Sequence, residues 1–345
     1  MFDRLFSRRG KGLQHQADTA ELAADFAIHA SLEELIGLRL QARQLSLKQN
    51  VPASHLMAGN HVSHFKGRGM DYMESRGYQP GDDIRNMDWR ITARTGRPHI
   101  KLFQEERQRP VMLMVDLNES MFFASRGRFK SAIAAQTAAL LAWSANHKGD
   151  RVGGLLVNHE HHEIADRNGR KGVLALLQEI TDRSAVIETS QPITADNAGR
   201  AGDSTRNQVS FNDGLKRLLR LSRPGSLVFL ISDFLALNQD SRSLLSQLKK
   251  NRDLVAIQVL DQLEKRPPPP GLYHVTDGLQ TYQLDTSNPQ QVNHYQQLFQ
   301  QHQQLLYEYC SQLGLPHIQI ATHQNPLEVL KAVFARRSLF KGTRR

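Results

Sequence analysis

The sequence contains a single cysteine, Cys310, among 345 residues. One thiol excludes an internal disulfide and any zinc site built from several thiolates. Long hydrophobic runs are missing too: no stretch approaches the ~18 consecutive apolar residues of a membrane-spanning helix. The opening residues, 1–11, are basic, but no apolar segment follows them. A secretory signal is therefore not expected, and a cytoplasmic location is. No Gly-x-x-x-x-Gly-Lys-Ser/Thr loop occurs, which excludes nucleotide hydrolysis by the P-loop route. There is no internal repeat of fixed period.

What is present is enough apolar residue, 39%, to bury a real core, and a net charge of +10. Such a charge invites a nucleic-acid reading, but its distribution argues against one. Residues 1–13 carry +3 and residues 331–345 carry +6, which leaves the body of the chain near +1. The basic ends read as solvated termini that could meet RNA, acidic lipid or an acidic partner. A nucleic-acid partner is not expected.

Four regions follow from patterning. Residues 1–64 form an N-terminal helical region, with Leu22, Phe26, Leu32, Leu35, Ile36 and Leu40 at helical spacing over 18–48. In residues 65–109, Pro80-Gly81 signals a turn and Asp82 is placed to cap a short helix ending at Gly96. His99 to Glu106 then reads as a strand. Many opposite charges crowd this segment, which suggests a lattice of ion pairs.

Residues 110–265 alternate apolar runs with helical stretches. Val111–Val115 and Leu227–Ile231 are continuous apolar runs, as expected of strands covered on both faces. Further strands are expected at 152–157, 160–165 and 254–260, with helices over 170–182, 210–222 and 239–251. The alternation predicts a doubly wound, mostly parallel α/β sheet. Residues 266–345, after the Pro267–Pro270 punctuation, are read as a strand–helix extension completing the sheet and a basic tail. Its elements are expected at 280–284, 289–313, 317–321 and 326–336.

In open sheets of this kind, ligands bind beyond the carboxyl ends of the strands, near the point where strand order reverses. Two apolar strands here run into an aspartate, Asp116 and Asp233. After the first comes Asp116-Leu117-Asn118-Glu119-Ser120, with oxygen-bearing side chains at alternate positions. A Mg²⁺ ion takes about six oxygens at ~2.0–2.1 Å, several of them water. Asp116, Asn118 and Ser120 with Asp233 from a neighbouring strand match that demand. The plainer reading is that both aspartates cap the following helices and bond to loop backbone. His159, His161 and His162 are expected to occupy a hairpin turn, and Cys310 to be a core thiol.

Asp-x-Asn-x-Ser resembles the Asp-x-Ser-x-Ser metal-ion-dependent adhesion site of von Willebrand factor A domains, with Asp233 in Ile-Ser-Asp as the distal aspartate. The upstream residues Arg76-Gly-Tyr-Gln-Pro-Gly-Asp-Asp-Ile-Arg85, Asp88-Trp-Arg-Ile-Thr-Ala-Arg94-Thr-Gly96 and Glu105-Glu-Arg107 resemble the signature of the bacterial family called domain of unknown function 58. The likeness runs from about Gly67 to Asp261. It implies a von Willebrand A-like domain behind a small family-specific subdomain, acting with a MoxR-type AAA+ ATPase in assembling or activating other proteins. In the adhesion-site mechanism the cation keeps one position open for an acidic side chain of the partner. Asn118 replaces the usual serine, and the pattern's downstream threonine has no clean match. Val209 falls at its offset, and Ser210 beside it is the nearest hydroxyl.

The resemblance leaves Arg76, Arg85, Arg90 and Arg94 two roles: bracing the metal loop through Asp82, Asp83 and Asp88, or presenting a second docking surface. Enzymatic alternatives remain. A haloacid-dehalogenase-like phosphatase or phosphotransferase also uses an aspartate after its first strand, but it needs an acid two residues later, and Asn118 cannot donate that proton. A Mg²⁺-dependent nuclease would use Asp116 and Asp233.

Overall fold

The computed structural model describes residues 29–45, 70–105, 109–125, 127–158, 161–184, 204–276 and 281–335. The chain divides into two compact units, one of residues 53–109 and the other of residues 1–52 with 110–345.

Helix α1 (Leu32–Ala42) opens the larger unit. Its N-cap is Ser31, whose hydroxyl accepts the Glu34 N–H at 3.2 Å. Of the helix expected over 18–48, residues 29–31 are not helical and the chain enters α1 through the extended Ser31, residues 43–45 form the turn that ends it, and the remainder lies outside the described residues. Leu35 is fully buried and sits in the main core.

In the smaller unit, strands β1 (Met70–Gly77) and β2 (His99–Glu105) pair antiparallel, with an irregularity between Tyr72 and Glu74. Between them lie two short helical pieces where one was expected. Asp83 caps a single 3-10 turn (Ile84–Asn86), and Asp88 caps α2 (Trp89–Thr95). Met87 breaks the run because its backbone is extended and bridges to Ile100. Helix α2 stops where expected, at Gly96, which adopts φ 69°. Strand β1 itself was not anticipated from the sequence.

The larger unit continues through β3 (Pro110–Asp116), α3 (Lys130–His147), β4 (Arg151–Val157), β5 (His162–Arg167), α4 (Gly169–Ser184), α5 (Ser204–Leu221) and β6 (Leu227–Ser232). It ends with α6 (Gln239–Asn251), β7 (Asp253–Leu260), α7 (Gln262–Lys265), β8 (Leu272–Thr276), β9 (Thr281–Asp285), α8 (Pro289–Leu313), β10 (His317–Ala321) and α9 (Pro326–Ala335). Six strands form the central sheet in the order β10-β7-β6-β3-β4-β5, all parallel except β5 at one edge. This is the doubly wound order, first stepping outward from β3 through β4 to β5, then returning to β6 on its other side. Of the C-terminal strands among the described residues, only β10 extends this sheet. Strand β9 pairs with β8 in a separate two-stranded ribbon.

Both faces of the sheet are covered, which is why its inner strands read as unbroken apolar runs. One core layer gathers α1, α3, α4 and α9 residues such as Leu35, Trp143, Leu177 and Leu330. The other gathers Phe211, Leu215, Leu245 and Leu306 from α5, α6 and α8. Helix α3 lies in the first layer, and the Trp143 indole donates to the Leu35 carbonyl at 3.0 Å, tying α1 to it. Cys310 is buried in the second layer, where desolvation pushes its thiol up to about 11. It is a core thiol rather than a nucleophile. No helix among the described residues is long and apolar enough to cross a membrane.

Because Leu35 fills the contact between α1 and the sheet domain, Leu35→Ala should cost ~2–5 kcal/mol through lost transfer energy and a cavity. The exposed Leu40 on the same helix should tolerate alanine within ~0.5 kcal/mol. Urea unfolding of the two variants distinguishes these outcomes. Equal costs would mean that α1 is not docked as described.

Candidate functional site

Apolar side chains carry β3, β6 and β7 through the core, and each strand emerges at its carboxyl end into an aspartate: Asp116, Asp233 and Asp261. Strands β3 and β6 are neighbours at the point where strand order reverses, so Asp116 and Asp233 face the crevice expected of such sheets. All three aspartates are buried. Each must therefore be satisfied locally, since an unpaired buried carboxylate is costly.

Asp116 is satisfied by neutral donors. Its Oδ1 accepts from Asn118 N at 3.0 Å and from Asn118 Nδ2 at 2.8 Å, and its Oδ2 accepts the Ser232 hydroxyl at 2.5 Å. Burial, followed by the nearby charge of Asp233, raises its carboxyl to about 7 despite these bonds. Asp233 lies beside a cation. Lys130, the first residue of α3 and 1% exposed, places Nζ 2.9 Å from Asp233 Oδ2 and 2.5 Å from Glu264 Oε1. Burial pushes Asp233 up, but the Lys130 charge and hydrogen bond, the Leu235 N–H and the Ser120 hydroxyl hold it below the ordinary carboxylate value. Burial likewise disfavours the Lys130 ammonium, and the two carboxylates more than offset this, so its pKa lies above that of a free lysine.

The backbone aims these groups. Phe234 adopts φ 62°, uncommon outside glycine, and the turn brings Leu235 N–H to 3.1 Å from Asp233 Oδ1. The buried Phe234 ring packs edge-on against Phe211, which anchors that turn. Asp261 binds the neighbouring loops. It accepts from Ser125 N at 3.0 Å, Thr322 Oγ1 at 2.6 Å and Leu263 N at 2.8 Å. Glu264 answers with a bond from Asp261 N at 2.7 Å, closing a capping box on α7.

The structure thus brings together Asp116, Asn118, Ser120 and Asp233. Ser210 lies on α5, and its side chain falls outside the described residues. Neither strand-end aspartate caps a long helix; the next helix after β6, α6, is capped by Asn238. Asp233 Oδ2 is occupied by the Lys130 ammonium, Asn118 offers Asp116 its amide donor, and a Mg²⁺ shell needs oxygens. Among the described residues no group of three His, Cys, Asp or Glu side chains is placed to hold a metal. His159 lies outside the described residues, and His162 begins β5.

Sequence reasoning missed Lys130, Glu264, Ser232 and Asp261. Two signals were available. A lysine at the first turn of an otherwise apolar helix opposes the helix dipole, which marks it as held by something else. Asp261-x-x-Glu264 after an apolar strand is a capping-box pattern.

In the smaller unit, Asp82, Asp83 and Asp88 are used internally. Asp82 pairs with Arg76 at 2.8 Å and accepts Gln79 N–H at 2.7 Å. Asp83 accepts from Arg85 N, while Asp88 accepts the Ser75 hydroxyl at 2.8 Å and the Ile91 N–H. The hydrogen bond from Ser75, then that from Ile91, lowers the Asp88 carboxyl. Arg85, Arg90, Arg94 and Arg97 are exposed and make no ion pair among the described residues. Beside them in the chain, Ile84 is 60% and Trp89 67% exposed.

A family model described as "Protein of unknown function DUF58" matches residues 74–305. The chain is similar to uncharacterized proteins of Mycobacterium tuberculosis and Mycobacterium bovis, with 29% identity over 233 residues, 67% of this chain and 67% of theirs. Among solved structures it is similar to a von Willebrand factor type A protein from Catenulispora acidiphila, with TM-score 0.33 and 11% identity over 68% of this chain. The match spans 44% of that protein, less than half its length. A second is an uncharacterized membrane-spanning protein from Vibrio fischeri, with TM-score 0.21 and 14% identity, over 66% of this chain and 98% of that one.

Two predictions follow from the buried charges. Lys130→Met leaves two carboxylates without their cation and should destabilise by ~3–5 kcal/mol in chemical denaturation; adding Glu264→Gln should recover part of the loss. The folded pKa of Asp116, about 7, lies above the unfolded value of ~3.9, so the folded state binds the extra proton between them. The Asp116 contribution to stability is full below pH ~4 and is lost as pH rises through about 7. In Asp116→Asn the carboxamide oxygen keeps both Asn118 donors. Its stability relative to wild type should therefore rise between pH 5 and 8, and a flat difference would contradict the assignment.

Proposed function

Taking as premise that the chain belongs to the DUF58 family, we propose that it is a non-catalytic protein-interaction module that docks an acidic partner surface through the Ile84–Arg97 face of its smaller unit. The observation that carries this reading is the combination of exposed Trp89 and Ile84 with four arginines that have no acidic partner among the described residues. Tryptophan and arginine are the residues most enriched at binding hot spots. A guanidinium supplies planar, bidentate recognition of carboxylates. Of the two roles open to these arginines, docking fits Arg85, Arg90, Arg94 and Arg97, whereas Arg76 is taken up by Asp82.

The acid cluster supports the non-catalytic part. Asp116, Asn118 and Asp233 are buried and bonded within and between their loops, so neither strand-end aspartate stands free as a nucleophile. Lys130 already supplies a positive charge to Asp233, and on this reading partner binding does not depend on Mg²⁺. The partner proposed is an AAA+ ATPase of MoxR type, which would supply the nucleotide chemistry that this chain has no P-loop to perform.

The test is binding of a purified MoxR-type ATPase to the full chain by calorimetry, with Mg²⁺ or with EDTA. Wild type should bind equally in both conditions and more weakly as salt increases. Trp89→Ala combined with Arg90→Glu and Arg94→Glu should weaken binding by at least ~100-fold. Loss of binding in EDTA would restore the metal-site reading, and full binding by the triple variant would move the docking surface elsewhere. Cleavage of nucleic acid or of a phosphate ester that disappears in Asp116→Ala would overturn the non-catalytic assignment.

A further inference from the structure

Beside the Lys130 cluster, in the larger unit, lies a cavity of about 230 Å³ that none of the foregoing uses. Glu264 and Asp233 stand at one side of it, and α8 supplies Tyr295, Leu298, Phe299 and His302. Leu235 and Leu298 at its lining remain 48% and 54% exposed. The volume is below the ~300–1,000 Å³ of small-molecule sites and suits one side chain.

Charge selects the occupant. Lys130 carries one positive charge against the carboxylates of Asp233 and Glu264, so the group as a whole is one unit negative. Glu264 accepts one bond on each oxygen, from Lys130 Nζ and Asp261 N. A carboxylate accepts about four in all, which leaves room for further donors. His302 stands in the cavity wall beside these carboxylates, and burial lowers its pKa, which favours the neutral ring over a competing cation. The aromatic rings of Tyr295 and Phe299 and the exposed leucines match the flat face and aliphatic stem of a guanidinium side chain.

From this geometry we infer that the cavity is a receptor for an arginine side chain presented by a partner protein. The cavity belongs to the larger unit and the Ile84–Arg97 face to the smaller, and the charge preference of the cavity is opposite. The acidic side chain expected of an adhesion-type ligand is disfavoured here, because it would meet a net negative group.

The experiment is a ligand-observed saturation-transfer NMR titration of the full chain with Nα-acetyl-L-arginine N-methylamide, against the isosteric neutral citrulline derivative. The arginine probe should saturate in the millimolar range, with the citrulline probe roughly tenfold weaker. Glu264→Gln, whose amide oxygen can still accept the Asp261 N–H, should reduce arginine binding to the citrulline level. Leu298→Trp, at an exposed position, should block both probes while the thermal midpoint stays unchanged. Equal binding of the two probes, arginine binding unaltered in Glu264→Gln or Leu298→Trp, or no transfer from wild type would each overturn the inference. The triple variant of the smaller unit should titrate like wild type, so this test and the docking test fail independently.

Discussion

A single buried ammonium holds the strand-end region of this sheet together. Lys130 reaches from the start of α3 to Asp233 beyond β6 and to Glu264 beyond β7, so one cation joins three elements that the sheet alone would leave as separate loops. Burying three charges is expensive, and the arrangement stands because each charge has a partner and further hydrogen bonds. Asp116 marks the boundary of that compensation. It sits at the same switch point but outside the reach of the lysine, and it relies on Asn118 and Ser232. Two carboxylates at adjacent strand ends are thereby pushed in opposite directions, one towards the protonated and one towards the ionised form.

The two units distribute charge by opposite rules. In the larger one the strand-end acids Asp116, Asp233 and Asp261 are buried and internally answered. In the smaller one Asp82, Asp83 and Asp88 are spent on Arg76 and on caps, while Arg85, Arg90, Arg94 and Arg97 face solvent around an exposed tryptophan. Among the described residues, this dense mixture of charges in sequence is therefore not a lattice in space. Asp83 and Asp88 are consumed as helix caps, since a short helix in a small unit has few other ways to satisfy its first N–H groups.

Much of the larger fold was legible because its physics is local. Strands covered on both faces read as unbroken apolar runs, and α6, α8 and β10 begin and end where residue patterning places them. Strand β1 was not legible, since its residues, Met70 to Gly77, show no alternation and depend on pairing with β2. The separate β8–β9 ribbon was missed for the same reason: pairing partners are a tertiary fact. Asp116 and Asp233 could be found because each follows an apolar strand. Their electrostatics could not, because Lys130 and Glu264 are 103 and 31 residues from Asp233 in the chain. Spacing that suggested a metal site gave no hint that a side chain already supplies the positive charge.

That separation also has a temporal side. During synthesis Lys130 emerges 103 residues before Asp233 and 134 before Glu264, a delay of roughly 5–25 s at ~5–20 residues per second. Through that interval the Ala-rich, apolar flanks of α3 have no completed sheet to lie against, and its leading lysine has no carboxylate. Closing such long loops costs entropy before any contact repays it. The charge cluster is thus a late-forming lock. A nascent chain halted between β4 and β6 would present an unfinished apolar layer with a lone cation at its edge, a form suited to capture by chaperones.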